Sequence, residues 1–170
     1  MRMQQLLVTS ALLTAAVVRG GDNKPIATGD AGAAFARLKT LVGHWEGTGE
    51  MGKVRLTYEL TAGGTVLLER ESGEQMPEML TVYHLDGGRL ILTHYCAARN
   101  QPRMQARNFD SQTGELRFVF LDATNLQPGA GHMKTATLRM IDDSRLENEW
   151  EFHENGQRKS VYGAPYTRVR

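Results

Sequence analysis

The sequence predicts an all-β fold: an antiparallel up-and-down β-barrel of about eight to ten strands, with one short N-terminal helix and a signal peptide before it. Three observations predict it. From Gly43 onward, apolar and polar residues alternate with a period of two. Turn signals such as Gly63-Gly64, Gly87-Gly88 and Asn155-Gly156 break that alternation every ~8–12 residues. A helical period occurs convincingly in one stretch only, and it precedes the first strand.

The N-terminus reads as a targeting segment. Met1-Arg2 gives a positive start, and residues 6–18 carry no charge and are rich in Leu, Ala and Val. Such a run is short for a bilayer span and suits a signal-peptide core of about 7–15 residues. We therefore expect residues 1–20 to be a signal peptide and the protein to be exported, periplasmic or secreted. Residues 21–30 are polar, contain Gly and Pro, and read as a linker. The barrel domain is expected over 31–170.

Asp30 is a plausible N-cap for a helix over 31–42, which puts Phe35, Leu38, Leu41 and Val42 on one face, and Gly43 suits its C′ position. Strands follow. Val54, Leu56, Tyr58 and Leu60 alternate with charged and hydroxyl residues. A second strand begins at Val66, a third covers 79–86 and a fourth 89–97. A shorter one covers 104–109, and Leu116, Phe118 and Phe120 mark the next. Strands over 133–141, 145–153 and 158–169 complete the meander. Sheets of this size close on themselves or cover their edges, so a barrel is the natural outcome. The longest connections, 98–103 and 122–131, are the expected mouth loops.

Composition excludes several functions. Lys and Arg total 20 and Asp and Glu 19, a net charge of +1. Removal of the signal peptide takes Arg2 and Arg19 and leaves 18 basic against 19 acidic residues. That balance offers nucleic acid no basic footprint. The single cysteine forms no internal disulfide and no multi-cysteine metal site. There is no Gly-x-Ser-x-Gly, phosphate loop or dinucleotide fingerprint. The polar outer face argues against a membrane barrel, so no integral membrane domain is expected.

At Gly43-His44-Trp45-Glu46-Gly47 the chain carries a motif on its first strand, just after the helix. Helix, Gly-x-Trp and β-meander together resemble the calycin barrels, the lipocalins and fatty-acid-binding proteins, and most of all bacterial lipocalin-like proteins of unknown function. The resemblance implies that Trp45 closes one barrel end with a basic residue of the last strand, Arg168 or Arg170, packed on its ring. It also implies a cavity for a small apolar or amphipathic molecule. The longer string Gly43-x-Trp45-x-Gly47-x-Gly49-x-x-Gly52 is similar to nitrobindin-type haem barrels, which implies haem as an alternative.

Candidate ligand-binding residues follow from strand parity and loop position. His84 shares parity with Leu80 and Val82, and His94 with Leu90, Leu92 and Cys96, so both histidines are expected to point inward. They suit either a hydrogen-bonded core pair or ligands to a metal, haem iron or polar head group. His44 and His153 have outward parity. The stretch from His94 to Met104 places Arg99, Asn100 and Arg103 at the mouth, where arginine suits a carboxylate. Asn125 and His132 fall in the facing loop. Asn148, Thr135 and Thr137 have the parity of a polar lumen. The expected function is non-covalent binding of a small hydrophobic or amphipathic ligand. One alternative is haem or metal binding through His84 or His94; another is an enzyme using the cavity and the 94–104 loop. No cofactor and no catalytic residue is assigned. The expected partners are that small molecule and, secondarily, a second copy in a homodimer.

Overall fold

The computed structural model describes residues 26–170, so the expected signal peptide and residues 21–25 of the linker lie outside the described residues. Ten strands close into one antiparallel barrel in the order β1-β10-β9-β8-β7-β6-β5-β4-β3-β2. They are β1 (Gly43–Gly49), β2 (Gly52–Thr61), β3 (Val66–Gly73), β4 (Met76–Asp86) and β5 (Arg89–Tyr95). The second half comprises β6 (Gln101–Asp110), β7 (Glu115–Thr124), β8 (His132–Met140), β9 (Arg145–Glu154) and β10 (Gln157–Arg168). Every strand pairs with its sequence neighbour, and β1 pairs with β10 to close the ring. Among the described residues no helix is long and apolar enough to cross a membrane.

Helix α1 (Thr28–Lys39) is the one α-helix described. It starts three residues before the expected Ala31, so Asp30 lies in the first turn rather than at the N-cap. A carboxylate there still meets the positive end of the helix dipole. The helix also ends early. Thr40 caps it, with its hydroxyl donating to Arg37 O at 2.8 Å, and the chain then turns into β1. Val42 consequently sits outside the helix and is 41% exposed, against its expected place on the apolar face. Gly43 opens β1 at φ 129°, where a side chain would be strained, instead of capping the helix.

The helix plugs one end of the barrel. Ala31, Ala34, Phe35 and Leu38 join the barrel core, and α1 packs on β4, β5 and β6. Arg37 donates to Met140 O at 2.8 Å, tying the plug to the end of β8. Above it, fully buried Leu67, Leu90, Leu92, Met104, Leu116 and Phe118 fill the lower half of the lumen. Tyr83 packs against Phe118, with ring centroids 5.8 Å apart. This half is solid core. The other end carries the β5–β6 and β7–β8 connections.

The seam that closes the ring is short. Only Trp45–Arg168, Glu46–Thr167 and Gly47–Tyr166 are in register between β1 and β10. Gly47 is required there, because a Cβ on it would overlap the carbonyl of Pro165. The Arg168 guanidinium lies 4.2 Å from the Trp45 ring centroid. It donates to Thr40 O (2.7 Å), Val42 O (2.6 Å) and Asp143 O (2.7 Å). Trp45 is fully buried and its Nε1 donates to Leu41 O at 2.7 Å.

Candidate functional site

The upper half of the lumen holds a cavity of about 270 Å³. Its wall is soft and aromatic: Met51, Met76, Met79 and Met133 line it, with Trp150, Phe152 and Tyr162. Methionine adapts its shape to irregular contacts, and such walls suit apolar ligands. A larger concavity of about 740 Å³ lies outside the barrel along the β1–β10 seam, among Glu46, Lys53, Arg55, Arg145 and Glu147. Those charged side chains are solvated and build no enclosed site.

Polar groups enter the lumen as a belt. Tyr58, Glu69, Thr81 and His94 are successive cross-strand partners on β2, β3, β4 and β5, and all four are at most 2% exposed. Tyr83 donates its hydroxyl to Glu69 Oε2 at 2.6 Å. Burial raises the Glu69 pKa, while the hydrogen bond from Tyr83 pulls it back down. Oε1 of Glu69 and the hydroxyl of Tyr58 make no hydrogen bond of ordinary geometry. Unpartnered buried polar atoms cost about 1–3 kcal/mol each, so these two atoms of the belt lower stability.

His94 is 1% exposed. Its Nδ1 lies 3.0 Å from Thr81 Oγ1, its ring lies 4.7 Å from the Trp150 ring, and its Nε2 has no partner. Burial pushes its pKa down to about 4, so the ring is neutral at pH 7. Glu71 stands two residues along β3 from Glu69, with Leu56 opposite on β2 and Met79 on β4. Burial, then the charge of Glu69, push its carboxyl up to about 8, against a hydrogen bond from Tyr166. Tyr166 is 2% exposed, and burial together with both glutamates raises its pKa. Asn148 completes the polar side and accepts from Ala164 N at 3.3 Å. Burial raises the Cys96 thiol, so this half-buried cysteine is a wall group rather than a nucleophile.

The structure brings His94, Cys96 and Asn148 together around the cavity. It does not bring the other candidates there. His84 faces outward, beside Val66 and Ile91, because Thr81 and Tyr83 take the inward positions of β4. Arg103 lies within β6 rather than in a loop, and grips Asp122 on the outer face through two bonds of 2.7 and 2.5 Å. Arg99 sits exposed at the tip of a turn with φ 63°. Asn125 is exposed and donates to Gln101 Oε1 at 3.2 Å. His132 packs its ring on Phe120, centroids 4.9 Å apart. Thr135 and Thr137 lie opposite Glu151 and Glu149 on the outer face, since a bulge between Met133 and Thr135 shifts the register. Asn100 is buried, but its Nδ2 donates to Gly131 O at 2.8 Å and so joins the two mouth loops. Among the described residues no anion-binding cluster forms at the mouth.

Glu69, Glu71 and Tyr83 are lumen residues that strand-by-strand parity misses. The missed signal is the hairpin at Gly63-Gly64. Carrying the inward parity of Leu56 and Tyr58 through that turn places Glu71 and Glu69 opposite them.

No protein-family model matches the chain. No curated protein matches it either. Thirteen chains of solved structures do. One is the crystal structure of a protein of unknown function from the DUF3598 family of Nostoc punctiforme, with a TM-score of 0.52 at 15% identity. The match covers 78% of this chain and 49% of that one, so this chain spans about half the length of its structural neighbour. The likeness is one of fold alone.

Proposed function

We propose that the barrel binds a small apolar or amphipathic molecule in the cavity beside His94 and Trp150. One observation carries this reading. The lumen is packed solid below and hollow above, and the hollow has an apolar wall that contains unpartnered polar atoms, His94 Nε2 and Trp150 Nε1. Ligand sites combine an apolar wall with a few such orienting groups. The volume of about 270 Å³ suits a compact ligand. The calycin-type reading supports the same proposal through the Gly43-x-Trp45 opening and the Trp45–Arg168 contact. A role outside the cytoplasm, periplasmic or secreted, is part of the proposal and rests on the pattern of residues 1–20.

Native mass spectrometry of freshly purified protein tests the proposal directly. A retained adduct, or saturable quenching of Trp150 by a small apolar compound, is the expected result. Absence of both, with Trp150→Phe showing that the missing signal belongs to that residue, overturns it. The free Nε2 of His94 favours the haem or metal alternative as a second reading. Haemin titration separates the two, since a Soret shift that vanishes in His94→Ala replaces the apolar-ligand reading. Among the described residues no three His, Cys, Asp or Glu side chains are grouped as a metal site.

A further inference from the structure

We propose that the molecule this cavity takes is a hydrophobic amine, held as its ammonium ion by Glu71; the inference rests on the binding proposal above. The charge of the lining points to it. Among the described residues no lysine or arginine lines the cavity, whereas Glu71 lies inside it and Glu50 at its mouth. A fatty acid placed here buries its carboxylate beside Glu71 and Glu69 with no cation among the lining residues to offset it, and an uncompensated buried charge costs a great deal. The mouth arginines supply no remedy. Arg103 is spent on Asp122, and Arg99 does not line the cavity.

The remaining lining favours an organic cation. Phe152 and Tyr162 pack edge to face at 6.5 Å, and with Trp150 and Tyr166 they give four aromatic rings around one space. Aromatic faces attract ammonium groups, and the attraction grows as water is excluded. The unpartnered Nε2 of buried His94 offers a further acceptor when Nδ1 carries the proton toward Thr81. A neutral alcohol uses the same wall but leaves Glu71 without a charged partner.

Proton balance makes the idea measurable. The groups facing Glu71 are Leu56 and Met79 from the flanking strands, Glu69 on its own strand, and Tyr166, Asn148, His94 and Cys96 around the cavity. None of them is a cation at pH 7. The free carboxyl therefore keeps its proton up to about pH 8. When an alkylammonium ion arrives, the carboxyl loses that proton to solvent and the carboxylate pairs with the ammonium. Binding thus releases a proton below pH 8, and affinity weakens by about tenfold for each pH unit lost.

The test titrates the full protein with octylamine, octanol and octanoic acid, read by tryptophan quenching and by calorimetry in buffers of different ionisation enthalpy. At pH 7 octylamine is expected to bind at least about tenfold more tightly than octanol, with octanoate weakest and about one proton released per octylamine. Glu71→Gln is expected to keep octanol binding and to bring octylamine down to the same affinity. Octanol or octanoate binding as tightly as octylamine, or an amine preference that survives Glu71→Gln, overturns the amine inference and leaves the cavity-binding proposal standing. If none of the three binds, both fall. The pH dependence in wild-type protein needs no variant, so it decides the matter even if Glu71→Gln folds poorly.

Discussion

Arg168 is the residue whose removal most directly tests how the barrel is closed. Its guanidinium touches three segments at once: the helix exit at Thr40 and Val42, the turn at Asp143, and the Trp45 ring. Arg168→Ala removes one cation–π contact, worth about 1 kcal/mol at a half-buried site. It also removes three hydrogen bonds from a charged donor. Because the acceptors are exposed carbonyls that water can serve, each is worth about 0.5–1 kcal/mol rather than the full charged value. The expected total is about 3 kcal/mol. With a urea slope of about 2 kcal/mol per molar, the midpoint falls by about 1.5 M. Arg168→Lys keeps a charge over the ring but loses the planar fork that reaches three carbonyls, so about half the loss is expected. Equilibrium urea unfolding followed by tryptophan fluorescence is the assay, with amide exchange in β1 and β10 as the local readout. A midpoint drop below about 0.3 M for Arg168→Ala would refute the reasoning, because the three-register seam would then be holding without its clasp.

Other expectations concern the lumen and mouth. Glu71, with its pKa raised to about 8, costs stability as pH climbs from its ordinary range toward 8, whereas His94, lowered to about 4, costs stability as pH falls from about 6.5 toward 4. A thermal unfolding series should therefore show a plateau at mildly acidic pH, and Glu71→Gln should raise the melting temperature at pH 8 but not at pH 5. Asn100→Ala breaks the tie to Gly131 O and should cost about 1–3 kcal/mol, with exchange speeding first at residues 96–100 and 129–133. Gly131→Ala sets a Cβ against the Phe152 ring and should displace it, changing tryptophan quenching by apolar probes by more than it changes stability. Cys96 should react with a disulfide reagent more slowly than a free thiol, because burial holds it protonated, and occupation of the cavity should slow it further.

The fold was largely legible because its signals are local. Leu146, Asn148 and Trp150 alternate with charged residues, and Asn155-Gly156 forms the turn that such a dipeptide demands. Where the structure departs from the local pattern, longer-range geometry decides. Asp30 has the chemistry of an N-cap, yet the helix begins at Thr28 with Ala27 at the cap. Strand β6 carries two register shifts, between Arg103 and Met104 and between Ala106 and Asn108, so no single alternation describes it and its first residues read as loop. The β5–β6 connection therefore covers 96–100 rather than the expected 98–103, and Arg103 stands on β6, paired with Asp122 on the outer face.

The site was less legible because a polar lumen inverts the rule by which parity is read. On β4 the more apolar face is Leu80-Val82, and choosing it as the inner face swings His84 inward. The barrel instead takes Thr81 and Tyr83 inside, since Thr81 meets His94 and Tyr83 meets Glu69. On β3 the same rule discards Glu69 and Glu71, the two acids that define the chemistry of the cavity. Parity carried through the hairpins makes no such error. Starting from buried Trp45, the ladder runs Trp45–Leu56–Glu71–Met79, and one step away Tyr58–Glu69–Thr81–His94. Each tight turn transmits the facing of one strand to the next, whatever the side chains are. A one-residue slip between β2 and β3 turns both glutamates, and with them His94, to water. The belt is therefore a property of turn lengths first and of side-chain hydrophobicity second, and that ordering is why hydrophobic pattern alone turns His84 inward along with His94.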